Sequence, residues 1–469
     1  MSTKESKLLK DTLLYFISNL GSKLLIFILL PLYTHYLTPS EYGKWDLIST
    51  TVILLMPFLT FELVSATYRW LIVEESFDKR KKTITTGAVT IIRNLLVFNL
   101  LFIIINSQIS LSYGWEILLL INVSIISSFM QQSARGLGFN KIFAISGILQ
   151  TLIILILNII FIFIFDLRLA ALLYSSILSY VIVTIYIWLS IKIHIFIDIK
   201  HYSRSMLKSF LQYSLPLIPG AVSWWVMNAS DRFIIAFFLG TDANGIYAIS
   251  NKIPSLLTMV SSVFFLAWND SAIRESNNQG KNEYYTEVFK HYFRLMTIFV
   301  IGIIVLIKPI MEIMVSDTFF VAWKYSGILI IGALFNTFSQ FWGAGYYGSK
   351  QTKVLLWTSI LGALINIFLN LLLINHLGLY AASLSTAIAF LFTWLMRVFN
   401  KSNNFKINIC LKDFLVLSFF LIIALGLLYV SNSIMIVIQF IFVIFLFTYY
   451  NKAILRLIYK KAIGMISSR

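Results

Sequence analysis

Fourteen apolar stretches, each long enough to cross a membrane, dominate this sequence, and mostly short loops separate them. A helix needs about 20 mostly apolar residues to cross a hydrocarbon core of roughly 30 Å. Surface helices of soluble proteins interrupt such runs with a polar face, whereas these runs are mostly uninterrupted. The sequence therefore predicts an all-α integral membrane protein with about 14 transmembrane helices. The predicted spans are 13–33, 45–70, 84–106, 115–134, 145–165, 169–191, 212–239, 246–269, 291–314, 324–346, 354–375, 379–399, 412–430 and 433–450.

Lysine and arginine residues are concentrated in every second loop. Cytoplasmic loops of membrane proteins carry an excess of these residues near the ends of the spans, so the basic side of the alternation marks the cytoplasm. With the N-terminal residues placed on that side, an even number of spans predicts that both termini are cytoplasmic. The opposite side holds only four basic residues, which are Lys44 and Arg168 in loops and Lys308 and Lys324 near the adjoining span ends.

Composition excludes several classes of function. The net charge of +17 comes from separate short loops rather than from one basic face, which disfavours nucleic-acid binding and favours contact with membrane lipids at the inner leaflet. The single cysteine, Cys410, excludes an intramolecular disulfide, and the five histidines lack metal-ligand spacing. No Walker A pattern occurs. The sequence therefore predicts no catalytic residues, no metal site and no cofactor.

Two pairs of segments resemble each other across the chain. Segment 37–47 resembles 239–249, since each ends a span, turns in a polar loop and restarts with Gly followed two residues later by an aromatic residue. Segment 140–158 resembles 352–370, with matching Lys, Ile, Leu and Asn residues. Both matches have nearly the same offset and the same predicted orientation. They predict a six-span bundle that is repeated in parallel, a transporter design with its site between the halves. The predicted domains are 1–200, 201–407 and a two-span tail, 408–469.

Five of the basic residues that fall inside predicted spans are candidates for a functional site. A charge at the centre of a membrane helix costs about 2.5–3.5 kcal/mol on insertion scales, so each should face a polar interior or find a partner. Polar residues accompany most of these charges at spacings of three and four, which place side chains on one face of a helix. The predicted cationic cavity comprises Lys23, Arg69, Arg93, Arg232 and Lys252. The supporting polar or ion-coupling residues are Asn19, Glu62, Asn228, Asp231 and Asn251.

Several of these residues also have a purely structural interpretation. Long basic side chains near a span end can extend to the interface, which applies to Arg69 and Lys252. Asp231 suits a structural ion pair as well as proton coupling, and Glu62 is the other acidic residue well inside a span. An excess of positive charge in a central cavity favours an anionic substrate over lipophilic cations.

Four segments carry a resemblance to a known family. They are 36–43 (YLTPSEYG), 135–141 (RGLGFNK), 231–235 (DRFII) and 245–252 (GIYAISNK). Together they resemble the polysaccharide transporter family and, within it, O-antigen flippases of the Wzx type. That family belongs to the superfamily that also holds multidrug and toxin extruders and lipid II flippases. The likeness extends over essentially the whole chain.

The resemblance implies two six-helix lobes arranged in a V and working by alternating access in a bacterial inner membrane. It implies undecaprenyl-diphosphate-linked oligosaccharide as cargo, polysaccharide polymerase machinery as a partner, and Asp231, Arg232 and Lys252 as site residues. Spans 13 and 14 could hold a lipid groove, and H⁺ or Na⁺ coupling stays open. The alternatives are a multidrug-type exporter, a membrane glycosyltransferase or polymerase, and a non-transporting scaffold for the assembly machinery.

Overall fold

The computed structural model describes Gly21 and residues 27–400, 404–430 and 432–452. Over these residues the chain is almost entirely helical and forms no strands. Ten of its helices are long and apolar enough to cross a membrane, or up to twelve if each of two bent helix pairs counts as one span. The all-α membrane class is confirmed. Most of the predicted first span, 13–33, lies outside the described residues.

The chain divides into two compact units, residues 1–225 and 226–469. The boundary falls inside a helix, Ile218–Leu239, rather than in a loop. That helix is not among the ten apolar spans, because Asn228, Asp231 and Arg232 lower its hydropathy. The predicted division into 1–200, 201–407 and 408–469 stays a prediction.

The first unit is a bundle of long helices joined by short turns. Residues 27–36 are helical at its start. The further helices of its described part are α1 (Pro39–Thr60), α2 (Leu63–Val73), α3 (Phe77–Ile109), α4 (Gly114–Gly136), α5 (Asn140–Phe163), α6 (Arg168–Ile191) and α7 (Arg204–Ser214).

Helix α1 begins where the sequence carries strong start signals. The Thr38 hydroxyl accepts a hydrogen bond from the Glu41 backbone N–H at 3.2 Å, and the Glu41 carboxylate accepts one from the Thr38 backbone N–H at 2.8 Å. This reciprocal capping box satisfies two N–H groups that the helix cannot pair internally. Pro39 occupies the first turn, where its missing N–H costs nothing.

The second predicted span, 45–70, is not one continuous helix. Helices α1 and α2 meet at 61°, and Phe61 and Glu62 between them adopt left-handed backbone conformations with φ of 50° and 54°. Pro57, inside the last turn of α1, removes a backbone donor. Side chains donate hydrogen bonds to two backbone carbonyls near the bend. The Asn94 amide donates to the Leu59 carbonyl at 3.0 Å, and the Ser214 hydroxyl donates to the Phe61 carbonyl at 2.6 Å.

The connection between α6 and α8 (Ile218–Leu239) is packed onto α3 rather than extended as a tether. The Thr85 hydroxyl donates to the Phe196 carbonyl at 3.1 Å and accepts from the Asp198 N–H at 3.0 Å. The Lys81 ammonium lies 2.9 Å from the Asp198 carboxylate. This contact with Lys81 is the main reason that the pKa of Asp198 is lowered to about 2. The linker is therefore a structural part of the first unit.

The second unit contains the remaining helices of the described chain. A four-residue helical turn, Asp317–Phe320, precedes the helix Trp323–Gly348. The helices are α8, α9 (Thr241–Ser250), α10 (Lys252–Glu275), α11 (Lys281–Met314), α12 (Trp323–Gly348), α13 (Thr352–Leu377), α14 (Leu379–Val398), α15 (Leu411–Val430) and α16 (Ser433–Tyr450).

Close packing of α10, α11, α12 and α14 forms the core of the second unit. Trp268 stacks on Phe341 with ring centroids 4.2 Å apart, and Phe264 stacks on Tyr292 at the same distance. Such aromatic pairs add about 0.5–1.5 kcal/mol each beyond their buried area. Gly332 lets α12 approach α14, because a Cβ there would lie 3.0 Å from the backbone of Ala387. Trp268 and Trp342 are buried core residues.

Candidate functional site

A polar cavity of about 560 Å³ opens inside the first unit. Its size falls in the range of small-molecule sites, roughly 300–1,000 Å³. Helices α2 and α4 supply most of its polar side chains, and Tyr213 from α7 adds a wall. The polar residues that define it include Glu62, Ser65, Arg69, Ser128, Gln132 and Arg135.

Helix α4 presents three of these residues on one face. Ser128, Gln132 and Arg135 follow each other at spacings of four and three, which aligns their side chains along the helix. All three are half-buried. Helix α2 and its N-cap repeat the pattern with Glu62, Ser65 and Arg69, which line the same cavity.

Aromatic rings hold the two guanidinium groups of the cavity. Arg135 lies over the ring of Tyr68 at 4.6 Å, and Arg69 lies over the ring of Tyr213 at 5.4 Å. Such contacts stabilise a cation by about 0.5–1 kcal/mol at exposed sites and by more where water is excluded. Gly136 makes the first contact possible, because a Cβ there would lie 2.8 Å from the Cβ of Leu71.

Arg69 remains available to a ligand. Its side chain is exposed, and no carboxylate lies within ion-pair distance of it among the residues that the structure describes. Glu62, at the bend between α1 and α2, accepts a hydrogen bond from the Ser65 hydroxyl at 2.7 Å. The cavity thus offers two guanidinium groups, one carboxylate and several neutral polar groups.

The structure brings together only part of the predicted cationic set in this cavity. Arg69 and Glu62 line it. Arg93 is exposed on α3 and is not among the lining residues. Lys23 and Asn19 lie outside the described residues. The sequence did not predict Arg135 as a cavity residue, because basic residues just after a span are common on the cytoplasmic side. The adjacent Gly136 is the one sequence feature that indicates close packing of helices at this point.

In the second unit, Asp231 sits in a dense hydrogen-bond network. Its side chain is 3 % exposed and accepts from the Tyr247 hydroxyl at 2.8 Å, from the Asn370 amide at 3.0 Å and from the Thr386 hydroxyl. Helices α8, α9, α13 and α14 are joined at this carboxylate. Asn366, one turn before Asn370, extends the network by donating to Thr386 at 3.1 Å.

The other predicted residues of the second unit lie near this network. The Arg232 guanidinium donates to the Asn228 carbonyl one turn earlier at 2.6 Å and is half-buried. Asn251 donates to the Tyr247 carbonyl at 2.9 Å. Lys252, the first residue of α10, is also half-buried.

The first unit has a related network around Asn158. Its amide donates to the Tyr33 hydroxyl at 3.1 Å, and its carbonyl oxygen accepts from the Ser175 hydroxyl at 3.1 Å. Asn158 and Asn370 are the matched residues of the two similar segments. Each of them is almost fully buried and joins neighbouring helices of its own unit. A carboxylate is present only in the second of these networks.

A row of hydroxyl groups extends along α10. Ser255 and Thr258 are exposed and Ser262 is half-buried, at spacings of three and four. Each hydroxyl donates to a carbonyl of its own helix, at 2.5, 2.9 and 2.7 Å respectively. Lone serine and threonine hydroxyls are tolerated in apolar surroundings when they bond back in this way. Their alignment on one exposed face also suits contact with water or a polar ligand.

The second unit also contains an apolar groove of about 380 Å³ between α10, α11 and α16. Apolar side chains and a single glycine line it, with no polar surface exposed to it. The described residues contain no cluster of His, Cys, Asp and Glu that could hold a metal ion.

Comparison with solved structures places the fold among membrane transporters. The chain is similar to the lipid II flippase MurJ in an inward closed conformation, with a TM-score of 0.65, 16 % sequence identity and coverage of 95 % of this chain and 98 % of that one. It is similar to an inward-facing multidrug resistance MATE family transporter of the MOP superfamily, with a TM-score of 0.65, 14 % identity and coverage of 87 % and 95 %. It is also similar to a MATE transporter of Vibrio cholerae, with a TM-score of 0.56, 14 % sequence identity and coverage of 84 % of this chain and 97 % of that one. These likenesses establish the fold.

Sequence comparison gives one related protein and a family. An uncharacterised membrane protein of Methanocaldococcus jannaschii is 26 % identical over 214 residues, which are 43 % of this chain and 49 % of that protein. The match thus spans about half the length of that relative. The family model described as polysaccharide biosynthesis protein matches residues 8–269, more than half of the chain. The chain therefore belongs to the polysaccharide biosynthesis protein family.

Proposed function

We propose that this protein is a flippase that moves an undecaprenyl-diphosphate-linked oligosaccharide, such as an O-antigen repeat unit, from the cytoplasmic to the outer leaflet. The observation that carries the proposal is the pair of arginines, Arg69 and Arg135, in the polar cavity of the first unit. The family and the shared fold with a lipid II flippase support a lipid-linked glycan. A bacterial inner membrane and polymerase machinery as a partner follow from the same proposal.

The chemistry of the cavity suits a diphosphate. Guanidinium groups carry a permanent charge and can donate two parallel hydrogen bonds to phosphate oxygens, which replace the water that the phosphate loses. The stacking of Arg69 on Tyr213 and of Arg135 on Tyr68 holds both guanidinium groups at the cavity. A lipophilic cation would be repelled by the same field.

The second unit offers surfaces for the other parts of such a cargo. A polyprenyl chain is apolar, and the groove between α10, α11 and α16 presents only apolar side chains to it. The hydroxyl row of Ser255, Thr258 and Ser262 suits contact with a hydrated glycan. No covalent chemistry is required, because the transport step only has to offset the desolvation of the headgroup.

Alternating access between two states completes the proposal. Arg93 of the first unit and Arg232 and Lys252 of the second contribute further positive charge in this proposal, with Asn228 and Asn251 as polar support, whereas Lys23 and Asn19 lie outside the described residues. An ion gradient could return the empty protein, since one charge crossing 100 mV yields about 2.3 kcal/mol. Asp231 accepts three hydrogen bonds, which favours its structural interpretation over proton coupling.

The decisive experiment measures transfer of a fluorescent undecaprenyl-diphosphate oligosaccharide across proteoliposomes. Arg69→Ala should lower the transfer rate by about tenfold or more, since a hydrogen bond to a charged group contributes about 1.5–3 kcal/mol. Arg274→Ala, an exposed arginine of α10 outside the cavity, is the matched control and should transfer normally. Uptake of lipophilic cations without any glycan transfer would establish the multidrug alternative instead.

Arg232→Ala tests the second unit in the same assay. The substitution removes the positive charge of Arg232 and its hydrogen bond to the Asn228 carbonyl. The variant should abolish transfer at unchanged abundance in the membrane, which quantitative immunoblotting checks. Full retention of transfer would remove Arg232 from the site.

A further inference from the structure

The cavity of the first unit has two chemically different ends. Helices α2 and α4 are separated by one span, so they run in the same direction across the membrane. Glu62 precedes Arg69 by seven residues, and Ser128 precedes Arg135 by seven. At about 1.5 Å per residue this corresponds to roughly 10 Å along each helix.

The contact between Arg135 and Tyr68 sets the register of the two helices. Because Arg135 lies 4.6 Å from the Tyr68 ring, the last turn of α4 is level with the residues next to Arg69. Gly136 beside Leu71 confirms this alignment. Ser128 is then level with the start of α2, beside Glu62. One end of the cavity is therefore basic, and the other carries a carboxylate and hydroxyl groups.

This polarity matches the junction between a diphosphate and a sugar. Phosphate oxygens accept hydrogen bonds and carry negative charge, so they belong at the guanidinium end. Sugar hydroxyl and acetamido N–H groups are donors, and an ionised carboxylate is an acceptor. The Ser65 hydroxyl occupies one Glu62 oxygen at 2.7 Å, which orients the carboxylate and leaves its second oxygen for a ligand.

We infer that Arg69 and Arg135 bind the diphosphate while Glu62 contacts the sugar attached directly to it, and that the cavity selects a neutral sugar at this position. The inference rests on the proposed function and deepens it. A uronic acid at the same position would bring a second carboxylate next to Glu62, and like charges in a desolvated site are repelled strongly. Glu62 is thus a specificity-determining residue rather than a residue of ion coupling.

Binding measurements on the full chain in lipid nanodiscs test the inference at neutral pH. The probes are undecaprenyl diphosphate carrying N-acetylglucosamine, the same lipid carrying glucuronate, and undecaprenyl diphosphate without a sugar. The wild type should bind the neutral glycolipid at least about tenfold more tightly than the acidic one. Glu62→Gln keeps the size of the side chain and should remove most of this preference. Glu75→Gln, an exposed acidic residue outside the cavity, should keep it.

Arg135 is tested with the same probes. Arg135→Ala should weaken all three by a similar factor, and Arg135→Lys should recover only part of the affinity because lysine donates as a point charge. Equal binding of neutral and acidic glycolipids by the wild type, or a preference unchanged in Glu62→Gln, would overturn the inference and leave the flippase proposal standing. Failure of the wild type to bind any probe would overturn both.

Discussion

Asp231 is a buried carboxylate that accepts hydrogen bonds on both of its oxygens. Tyr247, Asn370 and Thr386 all donate to it, and they come from three different helices. A buried donor that loses its acceptor destabilises the folded protein by about 1–3 kcal/mol. The arrangement therefore favours a permanent contact that joins α8 to its neighbours over a proton carrier that must change partners in every cycle.

Asp231→Asn separates these two functions of the residue. The amide keeps the size of the side chain but replaces one acceptor oxygen by a donor that faces other donors. The free energy of unfolding should fall by about 1–3 kcal/mol, which thermal unfolding of the detergent-solubilised protein would detect as a lower Tm. An unchanged Tm combined with loss of a pH-gradient effect on transfer would instead identify Asp231 as the coupling residue.

Sequence reasoning found some residues of the cavity and missed others for a physical reason. Arg69 and Glu62 stand out because a charge inside an apolar run is costly wherever it lies. Arg135 lies at a span end, where basic residues are common, so its charge alone carries no information. Its importance comes from the contact with Tyr68, which is 67 positions away and exists only after the helices pack.

The break between α1 and α2 illustrates the same limit for secondary structure. The start of α1 is predictable, since Thr38, Pro39 and Glu41 form a local start signal. The bend at Phe61 is not, although Pro57 weakens the helix there. The backbone carbonyls at the bend accept hydrogen bonds from the Asn94 and Ser214 side chains. The bond from Ser214 to Phe61 joins residues that are 153 positions apart. A local pattern cannot reveal a partner that only the folded unit supplies.

The linker between α6 and α8 gives a prediction about pH. The pKa of Asp198 is lowered from its usual value to about 2, first by its hydrogen bond with Lys81. A lowered pKa in the folded state means that the stabilisation is complete above about pH 4, the unfolded value, and is lost as the pH falls toward 2. The contribution of Asp198 to the packing of the linker should therefore not change between pH 5 and 8.

Asp198→Asn removes this ion pair at every pH. Residues 192–203 should then exchange backbone hydrogens faster at neutral pH than in the wild type, as mass spectrometry would show. Asp242→Asn, in the first turn of α9, is the control and should leave exchange in the linker unchanged. Equal exchange in Asp198→Asn and the wild type would mean that the Thr85 hydroxyl and the Thr86 hydroxyl, which accepts from the Ser203 N–H at 3.2 Å, hold the linker without help from the charge pair.

The first unit contains a polar cavity, and the second unit contains an apolar groove. An amphipathic cargo needs both kinds of surface, because its charged headgroup and its hydrocarbon chain cannot share one environment. Helix α15 is joined to α11 by the ion pair between Arg294 and Asp413, with an N···O distance of 2.6 Å. Arg294 also lies over the ring of Tyr450 in α16 at 5.4 Å, and α16 forms one wall of the groove beside α11.

Filling the groove should therefore weaken the binding of long lipid chains specifically. Ile444 lines the groove, and Ile444→Trp would occupy space that a chain needs, whereas Ile441 is exposed on the same helix without lining it. Excluding about two methylene groups costs roughly 1.6 kcal/mol, so transfer of a long-chain polyprenyl probe should fall by about tenfold. A short-chain probe with the same headgroup should be transferred as before, and Ile441→Trp should transfer both normally. Equal loss of both probes in Ile444→Trp would mean that the substitution disturbs the packing of α16 and that the groove does not bind the chain.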